Sequence, residues 1–442
     1  MEKPSQRVST SCEAGAARPT NPDTMQLKVI LNRVARQPGF VFGAVELVSL
    51  AGALALRVQV RERKGSRAVC ADCCKRRPGY DRLPERDFQF VPLWNIPVSF
   101  RYSPRRVDCP RCGVIVELMP WATGKSPVTT TYAWFLQSWA KVLSWTEVGR
   151  RFGVSWHVVF DAVRYAVQWG REHQDLDDVR SIGVDELSWK KGHKYLTVVY
   201  QVDHHRRRLL WVGRDRTAAT FEGFFDWLGK ERCALIEFVT SDMWAAFLGA
   251  VARKACGAVQ VLDRFHVMKL FGKAVDEVRR EEARALRQKG DSVTLKHTRW
   301  VLLKRKHRLT QKQNDRLAQL LRANLRTVRA YLLKEDFHAF WGYLSPWWAG
   351  RYLDGWTTAA LRARLPPFAK LARTLRKHRE PLLNWFRARG RFAMGAVEGF
   401  NNKARVTTKM AYGFRSYEHA EIALFHRLGD LPEPPWLTHR FA

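Results

Sequence analysis

Three acidic residues occur in sequence settings that suit metal ligands. Asp185 and Asp242 lie in or beside short apolar, strand-like runs, in SIGVDELSW and FVTSDMWAAF, and Glu398 opens an amphipathic helical run far downstream, in GAVEGFNNKARV. A pair of hard divalent cations needs several carboxylate oxygens at one point, and such sites perform in-line displacement at phosphodiesters. A single Asp at a strand end is more often a cap or a surface charge. The combination predicts a two-metal site.

The charge balance indicates which phosphodiester the protein would act on. The chain has 442 residues, with 76 Lys and Arg against 42 Asp and Glu, a formal net charge of +34. This surplus predicts polyanionic partners, and nucleic acid is the polyanion that carries phosphodiesters. The 46 % of apolar residues indicate a real core and argue against a merely solubilising or ribosome-like basic surface.

The sequence carries no pattern for a membrane or an export signal. Its most apolar window, residues 41–56, contains Glu46 and leads into the charged alternation RVQVRERK. The N-terminus lacks the basic, apolar and small-residue order of a signal peptide. We therefore expect a soluble, cytoplasmic protein, nucleoid-associated if it binds DNA, with cysteines that are ligands or core residues. Residues 1–24 are predicted to be disordered, and Met25 is an alternative start.

Two cysteine pairs indicate a structural zinc site. Cys70 and Cys73 form one CxxC pair, Cys109 and Cys112 form another, and β-like sequence separates them. Two such pairs are typical of a zinc ribbon, in which four thiolates close a tetrahedral site. Cys74 adjoins Cys73 and could replace it as a ligand, and four unrelated thiols are the alternative.

A helical pair follows the cysteines. Residues 146–152 and 156–167 have helical apolar spacing, and the Gly-Val-Ser between them predicts a turn with Ser155 as the second helix's N-cap. This pattern resembles a helix-turn-helix, although any short helical hairpin can look similar. If it recognises DNA, His157, Asp161 and Arg164 are the candidates near the groove.

The pattern then becomes strand-like. We predict strands at 182–187, 195–202, 208–212, 235–240 and 259–262, with helices at 218–228 and 243–252. Three antiparallel strands followed by alternating helix and strand is the order of an RNase H-like sheet, in which the first and fourth strands are neighbours. That order brings Asp185 and Asp242 together. Glu186 should point to the opposite face of its strand, outside the site.

A long basic helical segment interrupts this domain. Residues 266–390 are too many for a loop and predict an inserted helical subdomain, after which Glu398 returns on a closing helix. Trp341, Trp347 and Trp348 are interpreted as core packing; the alternative is that one of them stacks on a flipped or frayed base.

The motifs GVDELSWKKGHKYLTVVYQVD, SDMWAAF, VLDRFHVMKL and AVEGFNNKARVTTKMAYGFRSYEHA, in this order, resemble those of the bacterial ISL-three family of insertion-sequence transposases, a DDE-type group. The resemblance runs from about Leu27 to Leu428 and includes the zinc ribbon and helix-turn-helix that the family carries. It implies that Asp185, Asp242 and Glu398 are the catalytic carboxylates and hold two Mg²⁺ or Mn²⁺ ions.

The resemblance also directs attention to residues around the three carboxylates. Asp263-Arg264-Phe265-His266 matches an Asp-x-x-His after the fifth strand; His266 either supports catalysis or, with Asp263, starts a helix. Asn402 falls one helical turn from Glu398 and could face the same cleft. Lys403, Arg405 and Lys409 are candidates for DNA contact.

The predicted fold class is α/β, with an RNase H-like mixed-sheet catalytic domain, a long helical insertion, and a zinc ribbon and helix-turn-helix before it. The predicted function is a transposase that binds terminal inverted repeats and target DNA, by analogy as a homodimer or larger assembly, and cuts and joins DNA. The alternatives are a DNA-binding regulator or domesticated, inactive transposase, and a nuclease that never joins. The predicted segments are an extension at 1–24, a β-rich zinc ribbon at 25–122, a helix-turn-helix at 128–175, catalytic parts at 180–265 and 391–430 flanking the insertion at 266–390, and a tail at 431–442.

Overall fold

The computed structural model describes residues 26–50, 52–190, 192, 194–323, 325–393 and 395–437. The predicted N-terminal extension, the alternative start at Met25 and the end of the predicted tail lie outside these residues. The chain divides into two compact units, one ending at Leu136 and one beginning at Gln137. None of the helices in the described ranges is both long and apolar enough to span a bilayer.

The first unit is rich in β-strands. Strand formation follows from alternation: in the second strand Val58 and Val60 are buried and the charged side chain of Arg61 is exposed. One sheet has the order β1-β2-β5-β4 and encloses an aromatic core that includes Phe40, Tyr102 and Trp121. A second, small sheet has the order β3-β6-β7. The elements are α1 Leu27–Val34, β1 Phe40–Leu50, β2 Ala53–Glu62, β3 Gly79–Arg82, β4 Arg86–Leu93, β5 Ile96–Tyr102, β6 Arg105–Cys109 and β7 Gly113–Val116.

A helical pair lies near the start of the second unit. The pair is α3, Trp145–Phe152, and α4, Trp156–Glu172; helix α2, Thr130–Ala140, precedes it. The Ser144 side chain caps α3, Gly153 ends it in the left-handed conformation at φ 65°, and the Ser155 side chain caps α4 by accepting from the Val158 amide. Local sequence therefore sets both ends of the turn, as predicted for Ser155.

A five-stranded mixed sheet forms the centre of the second unit. Its order is β10-β9-β8-β11-β12; β8, β9 and β10 are antiparallel, and β8, β11 and β12 are parallel. β8 and β11 are neighbours, as the predicted order required. The elements are β8 Ser181–Lys190, β9 Lys194–Val202, β10 Arg207–Arg214, α5 Ala218–Leu228, α6 Lys230–Ala234, β11 Phe238–Ser241, α7 Ala245–Lys254 and β12 Val259–Leu262.

A series of helices follows the sheet over the range predicted as a helical insertion, 266–390. The first helix already begins at Arg264, because Asp263 caps it. Phe271, Phe337, Phe340 and Trp356 pack as a buried aromatic cluster. The helices are α8 Arg264–Gln288, α9 Arg299–Leu303, α10 Gln311–Leu321, α11 Arg326–Phe337, α12 Pro346–Arg362, α13 Pro366–Lys377 and α14 Arg379–Arg387.

The interpretation of the three tryptophans as core residues is correct for one and wrong for two. Trp341 is 4 % exposed, whereas Trp347 and Trp348 are 58 % and 55 % exposed. The reason is the phase of the first turn of α12: Trp347 and Trp348 occupy its outer side, where they pack edge-on against each other beside the Arg351 guanidinium.

Two last helices close the unit, α15 Ala396–Met410 and α16 Tyr417–Leu428. α15 packs directly on β8, and Gly183 permits this close approach. A Cβ at Gly183 would lie 2.3 Å from Val397 Cγ2 and 3.1 Å from Thr240 Cγ2. The start of α15 is thereby held over the strand that carries Asp185.

Candidate active site

Register places two of the predicted carboxylates side by side. β8 and β11 run parallel with Gly183 opposite Thr240, so Asp185, within β8, and Asp242, directly after β11, each lie two residues beyond this pair at the same level of the sheet. Adjacent strands are about 4.8 Å apart. Asp242 follows the last residue of β11, and its Oδ1 accepts a hydrogen bond from the Trp244 amide at 2.9 Å.

Asp185 is largely enclosed, with 15 % of its side chain exposed. Burial raises the pKa of Asp185 above its usual range; the Asp242 and Asp263 carboxylates add to this rise, and the Glu186 amide and His266 oppose it. A carboxylate in such surroundings needs positive charge to remain ionised. The chemistry of this donor set therefore fits divalent cations.

His266 lies between two acidic residues. Its Nδ1 is 3.2 Å from Asp263 Oδ2, and its Nε2 is 3.9 Å from Asp185 Oδ1. The hydrogen bond with Asp263 raises the pKa of His266, and Asp185 adds to the rise. Asp263 also caps α8 by accepting from the Phe265 amide at 2.8 Å. Both roles weighed from the sequence thus have a contact: Asp263 starts the helix, and His266 points one ring nitrogen toward the site.

The contribution of α15 differs from the sequence expectation in one residue. Glu398 lies in the first turn and is exposed, while Asn401 is 2 % exposed. The Asn401 amide nitrogen donates to Asp185 Oδ2, and its oxygen accepts from the buried Tyr200 hydroxyl at 3.0 Å. Asn402, which was expected to face the cleft, is exposed and accepts from Arg405. The carboxylate oxygens of Asp185, Asp242 and Glu398 do not all lie within 4.8 Å of one another.

Asn401 was missed because two adjacent asparagines differ by about 100° around a helix, and only the phase against the sheet selects one. The available signal was periodicity: Val397, Asn401 and Ala404 are four and three residues apart and form the buried side of α15. Asn401 is thus a polar residue on the buried, mostly apolar side of α15.

Glu186 follows Asp185 on β8 and pairs with Arg216, whose guanidinium lies 4.7 Å from the Trp244 ring centre. Burial raises the pKa of Glu186 to about 7; Arg216 opposes this rise, and the Asp242 and Asp185 carboxylates add to it. The position of Glu186 outside the site stays a prediction.

The predicted DNA-contacting residues are divided between exposed side chains and one that is paired with acidic residues. His157, Lys403, Arg405 and Lys409 are exposed. Arg164 is half-buried instead, 2.7 Å from Asp161 and 3.5 Å from Glu418 of α16. Part of its charge is thus compensated within the protein.

The four predicted cysteine ligands converge in the small sheet of the first unit. The sulfur atoms of Cys70, Cys73, Cys109 and Cys112 all lie within 4.8 Å of one another, and Cys73 and Cys109 are 3.7 Å apart. Tetrahedral zinc with Zn–S bonds of about 2.3 Å requires sulfur atoms about 3.8 Å apart. Cys74 is exposed and has a positive φ of 57°, outside the cluster. Tight turns at each pair bring the sulfurs together.

The electrostatics of the cluster also fit a cation. The Lys75 amide hydrogen-bonds the Cys73 sulfur and lowers the pKa of that thiol. Burial and the sulfurs of the other three cysteines raise the pKa of Cys112 to about 12. Four thiolates therefore cannot coexist here unless a positive ion compensates their charge.

Comparison with known proteins identifies the family of the chain. A model of the ISL3 type of DDE transposases, described as "Transposase", matches residues 182–424. The chain is 32 % identical over 397 residues to the transposase for insertion sequence element IS1557 of Mycobacterium tuberculosis, covering 83 % of this chain and 86 % of that protein. It is 28 % identical over 354 residues to the transposase for insertion sequence element IS1001 of Bordetella parapertussis, covering 79 % and 86 %. The chain belongs to the ISL-three family of DDE transposases.

Proposed function

We propose that this protein binds the terminal inverted repeats of its own insertion sequence, cuts the DNA at their ends and joins the freed 3′-hydroxyl to target DNA. The observation that supports the proposal is that Asp185 on β8 and Asp242 directly after β11 lie in register on adjacent parallel strands, with Glu398 in the first turn of the helix that packs on β8. The net charge of +34 supports a DNA substrate.

Cutting and joining are the same displacement at phosphorus with different attacking oxygens, from water in the first step and from a 3′-hydroxyl in the second. Asp185, Asp242 and Glu398 would hold two Mg²⁺ or Mn²⁺ ions, which supply compensation of phosphate charge and activation of the attacking oxygen. Asn401 holds the Asp185 carboxylate in place. His266, whose pKa the Asp263 carboxylate raises, holds its Nε2 3.9 Å from Asp185 Oδ1 and would face the reacting phosphate.

We propose further that the catalytic domain is RNase H-like. The support is the strand order β10-β9-β8-β11-β12, with three antiparallel strands followed by two parallel ones. In this arrangement the helices α8 to α14 form an insertion between β12 and α15, and their basic residues add phosphate contacts.

Recognition of the DNA ends is assigned to the first unit and to α3 and α4. The four-cysteine cluster would hold one structural zinc ion as a ribbon, and the capped turn between the two helices supports a helix-turn-helix. Each phosphate that the protein neutralises releases counterions, so affinity should fall steeply with added salt. Because two ends must be held together, the active form is a homodimer or a larger assembly on DNA.

The test is cleavage and strand transfer on labelled DNA carrying the gene's own flanks, with Mg²⁺ or Mn²⁺, comparing wild type with Asp242→Asn. We expect metal-dependent nicks at the repeat boundary, reduced about a thousandfold or more in the variant because a ligand charge is lost. Asp226→Asn is the matched control, since Asp226 is an exposed partner of Lys254.

Three other outcomes would contradict the proposal. Equal cleavage by wild type and Asp242→Asn would remove the site assignment. Specific binding without a cut by either protein would favour the regulator, and cutting without joining would favour a nuclease.

A further inference from the structure

One side of α15 joins the candidate active site to the helical pair α3–α4. The helical residues on this side follow one another at intervals of four, three and four, a spacing that keeps side chains on one face of a helix. Together with one residue of the turn that follows α15, we call them the α15 stripe. All of them are exposed, while the opposite side of α15 packs on the sheet. The α15 stripe consists of Glu398, Asn402, Arg405, Lys409 and Tyr412.

The stripe carries charge that the protein does not compensate. In the part of the chain that the structure describes, neither Arg405 nor Lys409 has a carboxylate within ion-pair distance, and Arg405 only donates to the Asn402 side chain at 3.0 Å. Lys403, beside the stripe, lies over the Phe400 ring at 5.8 Å and also lacks an acidic partner among the described residues. Uncompensated cations in a row suit the regular phosphates of a nucleic-acid strand.

Tyr412 stands at the far end of the stripe in an unusual conformation. Its φ is +51°, a region that bulky residues rarely adopt, and its side chain is 101 % exposed. The turn itself is well held, because the Tyr412 amide donates to Lys409 O and the Gly413 amide to Thr408 O, both at 3.0 Å. The fold thus presents a large aromatic ring to solvent on a fixed turn.

A groove connects this turn to the helical pair. A cavity of about 580 Å³ is lined by the start of α3, by Trp156 at the start of α4, and by Tyr412 and Arg415 after α15. The Arg415 guanidinium lies 5.4 Å from the Trp156 ring centre, and in the described ranges no carboxylate pairs with it. The far end of the stripe therefore opens beside α3 and α4.

We propose that the end DNA runs along the α15 stripe from α3–α4 to the carboxylates, and that the Tyr412 ring wedges between base steps of this DNA. The inference rests on the proposed function and adds to it the point on the DNA at which the protein unstacks the bases. Glu398 and Met410 are twelve residues, or about 18 Å, apart along α15 at 1.5 Å per residue, and the turn that follows puts Tyr412 about 20 Å from Glu398. At 3.4 Å per step, the wedge meets the DNA about six base pairs inside the element from the cut.

The experiment uses full-length protein and DNA carrying the gene's own flanks, with the cut position mapped on the same substrate. A thymine is placed in turn at each position from 2 to 12 inside the cut, and its permanganate reactivity reports unstacking. We expect enhanced reactivity at positions five to seven with wild type and loss of the enhancement with Tyr412→Ala. The same variant should bind the DNA about tenfold more weakly, because a base–aromatic contact is lost.

Two control variants separate loss of the aromatic ring from the loss of any other exposed side chain of this region. Tyr412→Phe keeps the ring and should retain the enhancement, and Val406→Ala removes an exposed apolar side chain of α15 outside the stripe and should change nothing. Thermal unfolding of each variant shows whether the fold is intact; Tyr412→Ala should unfold no earlier than wild type, because the ring has no contacts to lose.

The outcomes distinguish this inference from the proposed function. Wild type that cuts its ends but shows no Tyr412-dependent reactivity, or shows it outside positions four to eight, overturns the inference and leaves the transposase assignment intact. Wild type that neither binds nor cuts its ends overturns both.

Discussion

The two candidate metal sites of this protein are built differently. The cysteine cluster of the first unit takes all its ligands from two tight turns, Cys70 with Cys73 and Cys109 with Cys112, and its four sulfurs already lie within 4.8 Å of one another. The candidate active site takes Asp185, Asp242 and Glu398 from two strands and a distant helix, and its carboxylates are less tightly gathered.

The difference follows from what each site has to do. A structural zinc site is closed by protein ligands alone, so its geometry can be complete before the metal arrives. A catalytic two-metal site must leave positions for substrate oxygens, and its carboxylates repel one another until cations and phosphate join them. We therefore expect the cluster to respond to loss of a ligand by unfolding and the active site to respond by losing activity.

The largest effect should come from removing a cysteine of the cluster. Cys112→Ser should lower bound zinc from one ion per chain to none, and the small sheet β3-β6-β7 should lose most of a contribution of about 10 kcal/mol, because little apolar core supports it without metal. Zinc content by atomic emission and thermal unfolding measure this. Cys74→Ser is the control and should keep the ion, since Cys74 lies outside the cluster; loss of zinc from Cys74→Ser alone would reverse the ligand assignment.

The next effect concerns Asn401, which positions Asp185. Asn401→Ala leaves the Asp185 carboxylate and the Tyr200 hydroxyl without their shared partner, so we expect cleavage to fall about 10- to 100-fold and the Mg²⁺ concentration for half-maximal rate to rise. The neighbouring variant Asn402→Ala should cleave normally or lose only affinity for DNA. A fall in rate with no change in Mg²⁺ dependence would mean that Asn401 does not act through the metal ligand.

A smaller effect should follow from Gly183→Ala, which disturbs the packing of α15 on β8. The added methyl would meet Val397 and Thr240, so we expect a loss of about 1–3 kcal/mol in the free energy of unfolding, together with reduced cleavage as Glu398 moves from Asp185. Gly399→Ala, on α15 with nothing within 4 Å, is the matched control and should be neutral or slightly stabilising. If both variants unfold at the wild-type temperature, the close packing of α15 on β8 is not rigid.

The smallest effect is a pH dependence of stability that comes from His426, a half-buried histidine of the second unit. Burial lowers the pKa of His426 to about 3, and its Nε2 hydrogen-bonds Gln137 Oε1 at 2.8 Å. Since the unfolded residue titrates near pH 6.5, the unfolded state binds the extra proton first, and stability falls by up to about 1.4 kcal/mol per pH unit as pH decreases below 6.5.

Urea unfolding at pH 6.5, 6.0, 5.5 and 5.0 measures this slope for His426→Gln, which should be shallower than for wild type. His157→Gln changes an exposed histidine and should leave the slope as it is. A slope unchanged in both variants would show that His426 is not kept neutral by burial.

Local sequence was sufficient wherever one short segment contains its own structural signal. The Ser155 cap and the bounds of α5 and β12 agree with the prediction because capping, periodicity and alternation act within about ten residues. The adjacency of β8 and β11 was predicted instead from the order of the elements along the chain. The cysteine pairs belong to the same class, because two-residue spacing already commits each pair to one turn.

Tertiary structure alone decided which side of each helix or strand is buried. It selected Asn401 over Asn402 as the partner of Asp185, and it left Trp347 and Trp348 exposed while burying Trp341. A helix or strand shows from its sequence which residues share a side, but the neighbour that packs against it determines which side is buried. The sequence by itself therefore determined the ligand types, the order of elements and the family motifs, and packing determined which side chains meet in the site.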